Sequence, residues 1–279
     1  MVLEENLDIA DVHEKIVGKI RSYFASCGKT KAVLGLSGGI DSALVAALAV
    51  DALGKDNVHG ILMPSPFSSL HSVSDSVDLA TNLGISYDII PIEKIYKRAM
   101  LEMHDFFEIG KWNVAQENLQ ARIRGTILMT YSNRYDALLL NTSNKSELFM
   151  GYGTLYGDLC GAMMVIADLY KLQVYELSSY INRSETVIPV SIMTKAPSAE
   201  LRPGQKDTDS LPEYKVLDPV LHALNEEGLT PEQVIARGVD KELVERIVRL
   251  KKGAAFKVMQ IPPVITVGDK PVVPRFKCI

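Results

Sequence analysis

The stretch Ala32 to Ala47, AVLGLSGGIDSALVAA, limits what this chain can fold into more than any other. A strand-length run from Lys31 to Leu36 breaks at Ser37-Gly38-Gly39. An acid and a serine then lead into a second apolar run, a helix from about Ser42 to Leu53 that Gly54 stops. Strand, tight turn and buried helix form the first half of a βαβ unit, and the alternation continues. Val58 to Met63 is a second strand broken by Pro64 and Pro66, His71 to Leu83 a helix ended by Gly84, and Ile85 to Ile90 a third strand. Strands alternating with helices predict an α/β fold with a doubly wound parallel sheet.

Ile9, Val12, Ile16, Val17 and Ile20 fall at helical spacing ahead of the first strand and predict an amphipathic helix. Beyond the third strand, Asn118 to Asn133 reads as a long helix despite Gly125. Ala137 to Leu140 is a fourth strand that runs into the polar turn Asn141 to Glu147. Met163 to Tyr180 reads as helix and Ile188 to Ile192 as a fifth strand. Lys195 to Tyr214 carries three prolines and many charges, and is either a mobile lid or a linker. Val216 to Leu250 is helical, with Thr230 as an N-cap and Pro231 at the first helical position. The proline-rich tail is expected to lie extended over the surface. The expected organisation is one domain over 1–279, with a core of about five strands in 10–200, a lid-like loop at 195–214 and a helical C-terminal appendage at 216–260.

Bulk properties remove several function classes. Hydrophobic residues make up 47% and charged residues 23%, an ordinary globular balance, and the net charge of −4 argues against a nucleic-acid partner. Cys27, Cys160 and Cys278 form no CxxC pair, and the five histidines do not join them at zinc spacings. A reducing, cytoplasmic setting is the expectation. The acidic N-terminus has no signal-peptide core, and the longest apolar run, Ala43 to Val50, is too short to span a bilayer, so no membrane role is expected.

In an open parallel sheet, ligands sit outside the carboxyl ends of the strands, where Ser37 to Ser42 is placed. The N–H groups of Gly38 and Gly39 can nest an anion, the following helix presents its positive end, and the Ser37 and Ser42 hydroxyls add donors. A carboxylate beside that anion, Asp41, makes sense with a Mg2+ ion between them. The lysine that ends a Walker-type loop and assists γ-phosphoryl transfer is absent.

The sequence SGGIDS resembles the pyrophosphate-binding loop of the N-type ATP pyrophosphatases, which have an adenine nucleotide alpha hydrolase-like, Rossmann-like fold. Further blocks occur in order: ENLQARIRG at 117–125, NTSNKSE at 141–147, GYGTLYGD at 151–158, DLYK at 168–171, KAPSAEL at 195–201, DTDSLP at 207–212 and Pro262-Pro263. Together they resemble the NAD synthetase family from about residue 10 to 265. The closest likeness is to the synthetase module of the glutamine-dependent enzymes, without their glutaminase domain.

The resemblance implies an ammonia-dependent ligase of NAD biosynthesis. ATP adenylates the carboxylate of nicotinic acid adenine dinucleotide, pyrophosphate leaves, and ammonia displaces AMP to give NAD. It implies Asp41, Glu147 and Lys171 as catalytic residues, with Asp41 and Glu147 binding Mg2+. ATP would be held by Gly35, Leu36, Ser37, Gly38, Gly39, Ile40, Asp41, Ser42, Thr142, Lys171 and Ser198, and the dinucleotide by Arg122 and Lys257. Arg124 is left to a structural role. A homodimer is a further implication, and the nitrogen donor is left open between free ammonia and a separate glutaminase. Two positions depart from the compact ammonia-dependent branch: Leu155 stands where that branch has lysine, and Ala162 where it has an acid. The basic cluster before Pro262-Pro263 is reduced to Lys257. Another pyrophosphatase-loop ligase, or a non-catalytic nucleotide-binding subunit, are the competing readings.

Overall fold

The computed structural model describes residues 7–107 and 112–268. Five strands, β1 (Lys31–Gly35), β2 (Val58–Leu62), β3 (Ser86–Ile89), β4 (Ala137–Asn141) and β5 (Met163–Met164), form a wholly parallel sheet in the order β3-β2-β1-β4-β5. The chain leaves β1 for β2 and β3 on one side, then returns for β4 and β5 on the other. The carboxyl ends of β1 and β4 therefore flank the topological switch point, where such sheets bind ligands. Val33 pairs with both His59 and Leu139.

Helices cover both faces. On one lie α1 (Ile9–Ser26), α2 (Ile40–Leu53), α3 (Leu70–Leu83) and α7 (Lys171–Ile181); on the other α4 (Glu93–Glu102) and α5 (Val114–Tyr135). The Asp8 side chain accepts from Ala10 and Asp11 N–H to start α1, whose buried stripe is Val12, Ile16, Val17, Ile20 and Phe24. Each such side chain contributes about 2 kcal/mol through burial. Of the ten positions of α2 from Ile40 to Ala49, all but Asp41 are buried, which is why its sequence lacks a polar stripe. In α5, Gly125 is a packing requirement: a Cβ there would come within 3.0 Å of the Gly157 carbonyl oxygen.

The C-terminal third packs on α6 (Lys145–Met150). The helical stretch expected from Val216 to Leu250, with a helix start at Thr230, is three helices: α9 (Tyr214–Asn225), α10 (Pro231–Ala236), which begins at that cap, and α11 (Lys241–Val258). Gly228 and Gly238 take left-handed conformations at the two breaks, and Thr230 and Asp240 cap the helices that follow. Phe149, Met150, Tyr170, Leu217, Val220 and Ile247 make their shared core.

Three expectations are corrected. Ile188–Ile192 is no strand: after Pro189 the chain enters α8 (Val190–Thr194), and Ile188 and Ile192 are buried at helical spacing. The fifth strand is Met163–Met164, at the start of the stretch expected to be helical to Tyr180. An unbroken apolar run does not distinguish a buried strand from a buried helix. Nor is the tail a surface strap up to residue 268. Ile261, Val264 and Ile265 are buried, and Val264 bridges Met164 in parallel. Cys278 lies outside the described residues, while Cys27 is exposed and Cys160 half-buried, both as free thiols. Among the described residues no helix is long and apolar enough to cross a membrane.

Candidate active site

Beyond β1 the backbone turns through Ser37-Gly38-Gly39 into α2. The Ser37 and Ser42 hydroxyls lie 3.1 Å apart, Gly39 N–H donates to Ser37 Oγ at 3.2 Å, and Ser42 Oγ donates to the Gly39 carbonyl at 3.0 Å. These bonds fix the turn. No side chain caps α2, so its first-turn N–H groups stay free for an anion. The two glycines differ in function. Gly38, at φ +76°, faces α3, where a Cβ would come within 2.3 Å of the Ser72 carbonyl oxygen. Gly39 meets only the Ser37 hydroxyl and lines the open side.

That open side is the wall of a cavity of about 300 Å³. Gly35, Leu36, Ser37, Gly39, Ile40, Asp41 and Ser42 line it from the first turn, Thr142 from the turn after β4, Glu147 from α6, Lys171 from α7 and Ser198 from the loop after α8 (195–206), its roof loop. Every sequence-predicted ATP residue except Gly38 thus borders one space.

Its charged floor is assembled by caps. Asn144 is the N-cap of α6: its Oδ1 accepts from Glu147 N–H, while Glu147 reaches back to Asn144 N–H. The Asn144 amide also donates to Asp41 Oδ1 at 2.8 Å, tying the turns after β1 and β4 together. The fully buried Lys171 lies between the two acids, 2.5 Å from Asp41 and 3.5 Å from Glu147. Burial works against the Lys171 charge, but Asp41 and Glu147 outweigh it and hold its pKa above the usual lysine range. Burial, reinforced by Asp41, pushes the Glu147 carboxyl up to about 8. Asp218 accepts from Ser146 Oγ and Leu172 N–H and so anchors the start of α7. Burial raises its pKa to about 6.

Arg122 and Lys257 are not brought to the cavity. Arg122 is exposed and donates to the Leu155 carbonyl at 3.3 Å. Lys257 donates to the Gly151 and Gly153 carbonyls at 2.8 and 2.7 Å, closing the C-terminal end of α6. The cavity contains side chains that sequence reasoning left out. Arg124 enters from α5. Asp207, in the DTDSLP block, accepts hydrogen bonds from the Tyr152 and Tyr214 hydroxyls. Glu200 and Lys195 come from the roof loop. Glu200 accepts from Ser69 N–H, Ser69 Oγ and Ser72 Oγ at the start of α3, and Lys195 pairs with Asp75 at 2.9 Å. The helical phase of α5 would have found Arg124, because Ala121, Arg124, Gly125 and Leu128 share one face.

Among the described residues no three His, Cys, Asp or Glu side chains gather as a complete metal cage. Mg2+ does not need one, since it binds through one or two carboxylates and completes its shell with water and substrate phosphates. Asp41 and Glu147 fit that role. Both face the cavity, and burial, with the Asp41 carboxylate beside it, disfavours charge on Glu147, a cost that a divalent cation between the two acids would offset.

The NAD synthase family model matches residues 12–261. The chain is 49% identical over 267 residues to the glutamine-dependent NAD(+) synthetase of Synechocystis sp., covering 95% of this chain and 47% of that protein. It spans about half the length of the curated relatives it matches. Among solved structures, the NH3-dependent NAD synthetase of Campylobacter jejuni superposes with a TM-score of 0.75 at 32% identity, over 93% of this chain and 99% of that one. The NMN synthetase of Francisella tularensis superposes with a TM-score of 0.78 at 29% identity, over 90% and 96%.

Proposed function

The chain belongs to the NAD synthase family, and on that premise we propose that it is an ATP-dependent ligase that amidates nicotinic acid adenine dinucleotide to NAD with ammonia. The supporting observation is that the turn after β1, the Asp41–Lys171–Glu147 cluster, Thr142 and Ser198 border a single cavity at the switch point of the sheet. A carboxylate is too poor an electrophile to take ammonia directly, so activation precedes amide formation. The substrate carboxylate attacks the α-phosphorus of ATP, and the departing pyrophosphate is received by the N–H groups at the start of α2 and the hydroxyls of Ser37 and Ser42. Ammonia then adds to the acyl carbon and AMP leaves with the bonding electron pair.

Lys171 holds a fixed positive charge beside the triphosphate and keeps Asp41 and Glu147 together. When bound by those two carboxylates, Mg2+ supplies charge neutralisation on the triphosphate. Arg122 and Lys257, outside the cavity, are kept as candidates for the far end of the dinucleotide. The proposal includes a homodimer. Exposed Leu101, Phe106, Val114 and Tyr135, on and between α4 and α5, supply apolar surface for a second copy, which light scattering would detect as twice the monomer mass.

The deciding experiment supplies ATP, Mg2+, the dinucleotide and an ammonium salt, and measures NAD and pyrophosphate. No NAD at high ammonium overturns the reading. With glutamine in place of ammonium the chain alone is expected to give none. A mononucleotide acceptor is the second reading, favoured by the full-length match to the Francisella NMN synthetase. Nicotinic acid mononucleotide in the same assay separates the two.

A further inference from the structure

We propose that Arg124 is a reactant-binding residue of this cavity, its two terminal nitrogens taking an oxyanion of one of the two nucleotides. The inference rests on the reading of the site as an ATP-dependent ligase. Its basis is the way this guanidinium is held. Arg124 leaves α5 on the face shared with Ala121, Gly125 and Leu128, all of which line the cavity. Its Nε donates to the Met63 carbonyl at 3.1 Å, just past the carboxyl end of β2. Among the described residues this is its one hydrogen bond, and no carboxylate lies within ion-pair distance. The backbone tether fixes the plane of the guanidinium and leaves both Nη groups for a ligand.

Burial brings its pKa down to about 10, opposed by the more distant charges of Asp158 and Glu200, so the group remains a cation at neutral pH. Half-buried at the cavity wall, this cation has no contacting anion, and a planar fork with two free N–H edges matches phosphate or carboxylate. The shared ligand chemistry is an oxyanion. It comes either from a phosphate of ATP or from the dinucleotide, through its carboxylate or its phosphates. Lys171 does not serve the same end, because its ammonium is already engaged by Asp41 and Glu147.

Calorimetric titration with each nucleotide alone reads the proposal without turnover. Arg124→Gln keeps an amide that can reach Met63, and Arg124→Lys keeps the charge but loses the fork. Arg124→Gln is expected to weaken one nucleotide at least tenfold and leave the other within twofold, with Arg124→Lys intermediate. The nucleotide that weakens identifies the source of the oxyanion. Unchanged affinity for both overturns the proposal, and so does equal loss of both with a lowered Tm in both variants, which would assign Arg124 to holding β2. If the wild-type protein binds neither nucleotide, the ligase reading itself falls.

Discussion

Two buried lysines, Lys145 and Lys171, have nearly the same surroundings and opposite consequences. Lys145 lies between Asp168 at 3.2 Å and Glu226 at 2.5 Å, with its ammonium 4.9 Å from the Tyr170 ring. Lys171 lies between Asp41 and Glu147, with its ammonium 5.3 Å from the Tyr214 ring. In both, burial opposes the charge and two carboxylates more than restore it. The difference is what lies beyond the acids. Asp168 also accepts from the N–H groups of Val267 and Gly268, and Glu226 belongs to the C-terminal helical region, so Lys145 closes a clasp within the protein. Asp41 and Glu147 face the cavity. A buried ion triplet is therefore not a site in itself; it becomes one where its acids border open space.

The sharpest way to break this comparison is to remove each ammonium. Lys171→Met is expected to lower NAD formation by about a hundredfold or more, with circular dichroism unchanged. Near-normal turnover would reduce Lys171 to a clasp like Lys145. Asp41→Asn is expected to abolish pyrophosphate release on a similar scale, and continued release at the wild-type rate would remove Asp41 from any metal-binding role. Lys145→Met leaves Asp168 and Glu226 buried without their cation. Urea denaturation should show a loss of about 3–5 kcal/mol, while activity per folded molecule stays near wild type.

A smaller effect sharpens the pair. The folded Glu147 pKa of about 8 exceeds its ordinary value of 4.5, so the folded state binds the extra proton between those limits. Metal-free protein should therefore lose stability from this group as pH rises from about 5 to 8. Glu147→Gln should remove that slope, and chemical denaturation at stepped pH would read it. An unchanged slope would show that Glu147 is not the titrating group. Least of all, Thr230→Ala deletes one helix cap that touches neither lysine and should cost about 1 kcal/mol without changing activity.

The sequence revealed most where local chemistry and the global fold coincide. Ser37-Gly38-Gly39 identifies its own turn, and the parallel sheet followed from the alternation of strands and helices around it. The Asp41 and Glu147 pairing came from block order, as no local pattern links turns a hundred residues apart. β5 escaped because it has two residues inside an unbroken apolar run. The first break in the C-terminal helical stretch was marked by the Thr230-Pro231 cap, but Gly238 was passed over because both segments that flank it are themselves helical. Arg124 was left to a structural role because α5 also buries the polar Gln116, Gln120 and Ser132, so the face that Arg124 shares with Ala121 and Leu128 shows no plain apolar stripe.

The bridge between Val264 and Met164 has a further effect, on the rim of the sheet. It lays the incoming tail along β5, with Met164 N–H donating to the Pro263 carbonyl and Ile265 N–H to that of Met164. One border of the sheet is thus partly sheathed by the protein's own backbone. The opposite border, Ser86 to Ile89, is exposed throughout. Strand-to-strand stacking of molecules, the route by which sheets aggregate, is therefore steered towards β3, where the charge of Asp88 stands guard.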